Sequence, residues 1–151
     1  MMNVKTLIIE DDQEITESIS LAFKFYWPEV EVIYTNLGER GIEMVRTETP
    51  HAVILDLGLP DISGFEVLQQ IRSISSAPVI VLTVRSEEDE FTKALKGKTN
   101  DCIVKPFQHQ RLLESVQTHV DRWIASQAGS DLSSPYLWQG PAREISAAPR
   151  L

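Results

Sequence analysis

At 151 residues with 42% hydrophobic content, the chain has room for one domain of ordinary size with a filled core, and no second domain fits comfortably. Its 22 acidic and 14 basic residues give a formal charge of −8, which argues against sequence-independent attraction to nucleic acid. The lone cysteine, Cys102, excludes an internal disulfide; no apolar run approaches the roughly 20 residues of a spanning helix; and the start Met1-Met2-Asn3-Val4-Lys5 lacks the apolar stretch of a signal peptide, so the expected address is a reducing cytoplasm.

In chain order, short apolar runs alternate with longer segments of helical period. Residues 7–9 read as a first strand, and 13–25 as a helix in which Ile15, Ile19, Ala22 and Phe23 recur at spacings of three and four. Trp27-Pro28 ends it. Residues 30–34 alternate like a half-buried strand; 37–47 carry Ile42, Met44 and Val45 on a helix; Pro50 marks the return to a third strand at 52–55. After the turn Gly58-Leu59-Pro60-Asp61, residues 64–73 read as a helix with Phe65, Leu68 and Ile71 inward. Pro78 introduces a wholly apolar fourth strand at 79–82; a fourth helix is expected over 87–96, a fifth strand over 102–104, and a last helix over 108–125 with Leu112, Leu113, Val116 and Val120 on one face.

Five strands and five helices in strict alternation imply right-handed crossovers and a parallel sheet covered on both faces, the doubly wound α/β class. From Ser126 the composition shifts to Ser, Pro and Ala without periodicity, so 126–151 is expected to be a tail or a truncated linker, interrupted by Tyr136, Leu137 and Trp138. No internal repeat is visible.

Six side chains lie where apolar runs stop: Glu10 and Asp11 after the first strand, Asp56 after the third, Thr83 after the fourth, and Lys105-Pro106 after the fifth. An open parallel sheet binds ligands beyond the carboxyl ends of its strands, so these residues are expected to converge on one edge. Gathering three acids is costly unless a cation neutralises them, and hard oxygen ligands suit Mg2+. Asp56 is the expected nucleophile towards phosphorus, forming an acyl phosphate. Asp11, Asp56 and the carbonyl oxygen of Gly58 are the expected direct metal ligands, with Glu10 holding waters of the metal shell. Asp12 is better placed to cap the helix that begins at Gln13. The Lys105 amine can reach phosphate oxygens, and the Thr83 hydroxyl can bind a phosphoryl oxygen. His51, His109 and His119 form no metal-like spacing with Cys102, and no glycine-rich nucleotide loop follows the first strand.

The chain resembles the receiver domain of bacterial two-component response regulators. Leu7-Ile8-Ile9-Glu10-Asp11-Asp12, Ile54-Leu55-Asp56-Leu57-Gly58-Leu59-Pro60-Asp61-Ile62-Ser63-Gly64, Pro78-Val79-Ile80-Val81-Leu82-Thr83 and Asp101-Cys102-Ile103-Val104-Lys105-Pro106-Phe107 match its signature blocks in order and spacing, over roughly residues 4–125. The resemblance implies a receiver domain at 1–125 with a flavodoxin-like sheet of strand order 2-1-3-4-5. It implies transfer of a phosphoryl group from a sensor histidine kinase or phosphotransfer protein onto Asp56, with Mg2+ required. The chain is then no dedicated enzyme, and its own chemistry is self-phosphorylation and autodephosphorylation at Asp56. A cis peptide before Pro106 and a responsive face made by the fourth helix, fifth strand and fifth helix, through which two copies could pair, are also implied.

Several positions depart from the family pattern. Cys102 stands where an aromatic switch residue is usual, so relay through an inward-turning ring is not expected. Lys98 and Thr99 replace a glycine-alanine pair, with Gly97 one position early. Val84 replaces a smaller residue after Thr83, which implies slower phosphorylation by small donors. Gly58 and Arg85 flank the path of the attacking water, which implies an altered dephosphorylation rate. Glu90 and Asp101 suit regulators that pair through the responsive face, but Ser115 stands where an arginine of that interface is usual. The alternatives are a phosphorylation-independent interaction module, the receiver portion of a truncated DNA-binding regulator, and an aspartyl phosphohydrolase. For the last, Gly58 occupies the place of the required second acid.

Overall fold

The computed structural model describes residues 3–84 and 97–127. Within them five strands, β1 (Lys5–Ile9), β2 (Glu31–Thr35), β3 (Ala52–Asp56), β4 (Val79–Val84) and β5 (Asp101–Lys105), accompany four helices. These are α1 (Gln13–Tyr26), α2 (Gly38–Glu48), α3 (Gly64–Ile74) and the final helix α4 (His109–Gln127). The helix expected over 87–96, with Glu90, lies outside the described residues, as do Arg85 and the tail segment Tyr136, Leu137 and Trp138.

The strands form one sheet in the order β2-β1-β3-β4-β5, and every pairing is parallel. Period-2 alternation sends successive side chains to opposite faces. Ile8, Ile54, Ile80 and Leu82 therefore meet Ile19 and Phe23 of α1 and Leu112, Val116 and Val120 of α4. Leu7, Ile9, Val53, Leu55, Val79 and Val81 meet Ile42 and Val45 of α2 and Val67, Leu68 and Ile71 of α3. Both faces are covered, which is why β3 is apolar up to Asp56 and β4 up to Thr83. Full burial of each large side chain contributes about 1.5–3 kcal/mol. β1 lies between β2 and β3, so the winding reverses at β1 and β3 and the ligand crevice opens beyond their carboxyl ends.

Helix boundaries follow local chemistry. Asp12 caps α1, its side chain accepting from the N–H groups of Glu14 at 2.9 Å and Ile15 at 3.3 Å. Trp27, fully buried, ends that helix, and the following Pro28 cannot extend it. Ser63 caps α3 by accepting from Phe65 N–H. Gly64 is required by close approach, since a Cβ there would lie 2.5 Å from the Leu57 Cα.

The structure extends several predicted elements. β1 begins at Lys5, β5 spans Asp101 to Lys105, and α4 runs past Ala125 and Ser126 to Gln127. Apolar runs mark the buried centres of these elements, whereas backbone hydrogen bonding continues into polar flanks that hydropathy does not register. In the loop before β5 the left-handed conformation falls on Gly97, at φ 85°, so Lys98 is not asked to adopt it. Arg72 of α3 fastens that loop: Nε donates to Lys98 O at 2.7 Å, Nη1 to Ala77 O at 2.6 Å, and Nη2 to Asn100 Oδ1 at 2.9 Å. Asn100 Oδ1 also accepts from Val79 N–H at 2.9 Å, which ties the starts of β4 and β5 together.

Candidate functional site

Three strand ends deliver the charged groups. Glu10 and Asp11 follow β1 directly, Asp56 closes β3 and Lys105 closes β5. One carboxylate oxygen from each of Glu10, Asp11 and Asp56 lies within 4.8 Å of the others, the single such grouping among the described residues. Glu10 is 2% exposed and Asp56 6%, while Asp11 faces solvent. The Lys105 Nζ stands 3.0 Å from Glu10 Oε1 and 3.4 Å from Asp56 Oδ1. Asp56 Oδ1 also accepts from Gly58 N–H at 3.1 Å, and Glu10 Oε2 from Asp12 N–H at 3.1 Å.

These contacts set the charge state. Burial, then the hydrogen bond with Asp56, pushes Glu10 up to about 8 against the lowering effect of the Asp12 N–H and Lys105. Burial also opposes ionisation of Asp56, but the hydrogen bonds from Glu10 and Gly58 N–H and the Lys105 charge outweigh it and hold Asp56 below the usual carboxylate range. The two shifts run in opposite directions, so burial and the Lys105 charge favour the proton on Glu10 over Asp56. Burial likewise works against the Lys105 charge, yet Glu10 and Asp56 hold its pKa above the ordinary lysine value.

The donor set fits Mg2+. It consists of carboxylate oxygens, which suit a hard cation. Glu10 Oε1 is fully buried with the Lys105 ammonium as ion-pair neighbour, and among the described residues no hydrogen-bond donor is aligned on it. Three acids against one ammonium leave excess negative charge, which a divalent ion offsets.

Of the other predicted residues, Thr83 is 2% exposed and its Oγ1 donates to Val84 O at 3.4 Å, one residue beyond Asp56's neighbour Leu82 in the β3–β4 register. Val84 pairs with Lys105 in the β4–β5 register, with its side chain 43% exposed. Pro106 follows Lys105 through a cis peptide. Cys102 is not among the acids: it lies opposite Val81, half-buried against the core on the α2 and α3 side.

Two features escaped the sequence reading. Asp61 caps a helix other than its own, accepting from Gly38 N–H at 2.8 Å and Glu39 N–H at 3.0 Å at the start of α2. Those two bonds hold its carboxyl below the usual range. A signal was present: Leu37, at the capping position of α2, makes no side-chain cap bond, so that helix start lacked an acceptor of its own. Asp101 is engaged within the chain by Ser115 Oγ at 2.7 Å and Arg111 Nη1 at 3.0 Å, contacts the sequence reading did not include.

Comparison with known proteins agrees with this geometry. Residues 6–117 match the family model of the response regulator receiver domain. The KDP operon transcriptional regulatory protein KdpE of Escherichia coli is 36% identical over 132 residues, covering 87% of this chain and 57% of that protein. Response regulator ArlR of Staphylococcus saprophyticus is 33% identical over 118 residues, covering 78% and 53%. The chain thus spans about half the length of the curated relatives it matches. Among solved structures, a CheY-like response regulator receiver domain protein from Methanospirillum hungatei superposes with a TM-score of 0.73 at 23% identity, over 80% of this chain and 96% of that one. At that identity the likeness speaks to the fold alone.

Proposed function

The chain belongs to the response regulator receiver domain family, and from that premise we propose that it is a phosphoacceptor switch which takes a phosphoryl group from a histidine kinase or phosphotransfer protein onto Asp56. The observation that carries this reading is the ionised Asp56 carboxylate at the tip of β3, 3.4 Å from the Lys105 ammonium and grouped with Glu10 and Asp11. In the transfer, an Asp56 carboxylate oxygen forms a bond to phosphorus as the donor's phosphorus–nitrogen bond breaks, and the electron pair returns to the imidazole. Asp11, Asp56 and the Gly58 carbonyl are suited to hold Mg2+ directly, with Glu10 holding its waters. The ion, when bound, neutralises charge on the transferring group. Lys105 pairs with a phosphoryl oxygen from the opposite side, and the Thr83 hydroxyl, whose bond among the described residues is a long 3.4 Å contact to Val84 O, is suited to bind another.

Output follows from a change in protein-binding surface around β5 and α4, where a partner protein or a second copy docks. A cytoplasmic setting suits such a switch, and no described helix is long and apolar enough to cross a membrane. The phosphohydrolase reading is weaker, because Gly58 offers no second acid to protonate a leaving group. The test that separates the switch from a phosphorylation-independent module uses amide NMR. Adding Mg2+ and the phosphate mimic beryllium fluoride is expected to move the Thr83 and Cys102 signals; signals that stay in place contradict the switch.

The proton on Glu10 has a measurable consequence. A cation entering the pocket competes with that proton, so apparent Mg2+ affinity is expected to fall as pH drops below about 8 and to level off above it. Calorimetric titration at pH 6 and pH 9 checks this, with proton release on binding at the lower pH and almost none at the higher. A pH-independent affinity contradicts it.

A further inference from the structure

We propose that Asp61 is a positioning residue for the phosphoacceptor site, fastening the loop that carries Gly58 to the start of α2 so that the Gly58 peptide faces the acid pocket. The inference rests on the reading of that pocket given above.

Several contacts converge on the 57–63 loop. At one end, Gly58 N–H donates to Asp56 Oδ1 at 3.1 Å. At the other, Ser63 caps α3, and Gly64 lies so tightly on Leu57 that a Cβ has no room. Before Gly58 the loop is tied to β4 by the backbone bond from Leu57 N–H to Leu82 O at 3.3 Å; beyond Gly58 its long-range polar anchor among the described residues is the Asp61 carboxylate, spanning Gly38 N–H and Glu39 N–H with its two oxygens. The helix start is shaped to receive it. Gly38 lets the loop close down, since a Cβ there would meet Ile62 at 2.9 Å and Leu59 at 3.2 Å. A carboxylate bridging two free N–H groups at a helix N-terminus is a favourable contact for both partners. Asp61 sits three residues beyond Gly58 in a loop with Pro60 between them, so freedom at Asp61 is passed to the Gly58 peptide through few rotatable bonds.

A helix cap and a loop anchor predict different outcomes when the cap alone is restored. Leu37 already has the extended backbone of a capping residue, with φ −122° and ψ 136°, so Leu37→Ser gives α2 an acceptor of its own without reconnecting the loop. Four proteins are compared by Mg2+ calorimetry, thermal midpoint and amide exchange at Gly58 without metal: wild type, Asp61→Ala, Asp61→Asn and Asp61→Ala with Leu37→Ser. Asp61→Ala is expected to weaken Mg2+ binding about tenfold, the low end for residues that orient metal ligands, and to speed Gly58 exchange. Asp61→Asn, which keeps one acceptor oxygen, recovers part of both. The double variant recovers the thermal midpoint and neither of the other two. Unchanged Mg2+ affinity in Asp61→Ala, or affinity restored by Leu37→Ser, overturns the positioning role alone. A wild-type protein that takes up no Mg2+ overturns the phosphoacceptor reading and the proposal with it.

Discussion

Asp56→Asn is expected to reduce phosphoryl acceptance from a competent kinase to background while leaving the fold at least as stable as before. The amide has no anionic oxygen to attack phosphorus, and no other described acid closes a strand beside Lys105. Stability moves the opposite way from activity for an electrostatic reason. With both acids ionised, Glu10 and Asp56 set two buried negative charges against one ammonium, whereas the variant leaves the Lys105–Glu10 pair at 3.0 Å balanced. Neutral replacements of buried charges are often stabilising, here by about 1 kcal/mol above pH 8. Below that pH the gain shrinks, because Glu10, pushed up to about 8, already carries a proton. Urea unfolding at pH 6 and pH 9, beside a labelling assay, checks both halves. An Asn variant that still accepts phosphate, or that loses several kcal/mol, contradicts the assignment.

Lys105→Met is expected to slow phosphoryl transfer by about 10²-fold, the lower range for removing a preorganised charge that stabilises a transition state. Methionine keeps much of the apolar stem, so the effect isolates the ammonium. The same substitution is expected to cost about 3 kcal/mol of stability in the metal-free protein, because it leaves buried carboxylates without their cation. The sign with pH is fixed by the two shifts. The lysine pKa is raised in the folded state, so its contribution is fully present below the ordinary lysine range and lost only as pH rises through the folded value. The cost of its removal grows as pH rises through about 8, where Glu10 ionises and a second carboxylate is stranded. Mg2+ is expected to rescue the variant's stability and not its rate. Stopped-flow transfer measurements and chemical denaturation with and without Mg2+ separate these effects; a variant with unchanged rate removes Lys105 from the chemistry.

Much of this arrangement was legible in the sequence because it depends on local rules. Apolar runs in β3 and β4 announce a sheet buried on both faces, and residues at their ends fall on one edge by topology alone. The division between Glu10 and Asp11 at the site and Asp12 at the helix cap follows from counting positions past β1, and the Asp12 bonds to Glu14 and Ile15 N–H bear out its part. The site's electrostatics were less accessible. That Glu10 rather than Asp56 holds the proton depends on distances among three strand ends. Polar contacts that tie one loop to another were not legible at all. Asp61 reaches back 23 residues to Gly38, and Arg72 reaches forward 28 to Asn100, each joining loops whose approach is fixed by helix packing. Gly97 is intermediate: its displaced position was visible, but that it takes the positive φ in place of Lys98 required the backbone.

The most direct test of the account is to incubate the protein with Mg2+ and a phosphohistidine donor, trap any acyl phosphate by borohydride reduction, and locate the reduced residue by mass spectrometry. One phosphoryl group per chain is expected, base-labile before trapping, with the reduced side chain at Asp56 and none in the Asp56→Asn variant. Absence of label under conditions where the donor loads another receiver, or label at a residue other than Asp56, contradicts it.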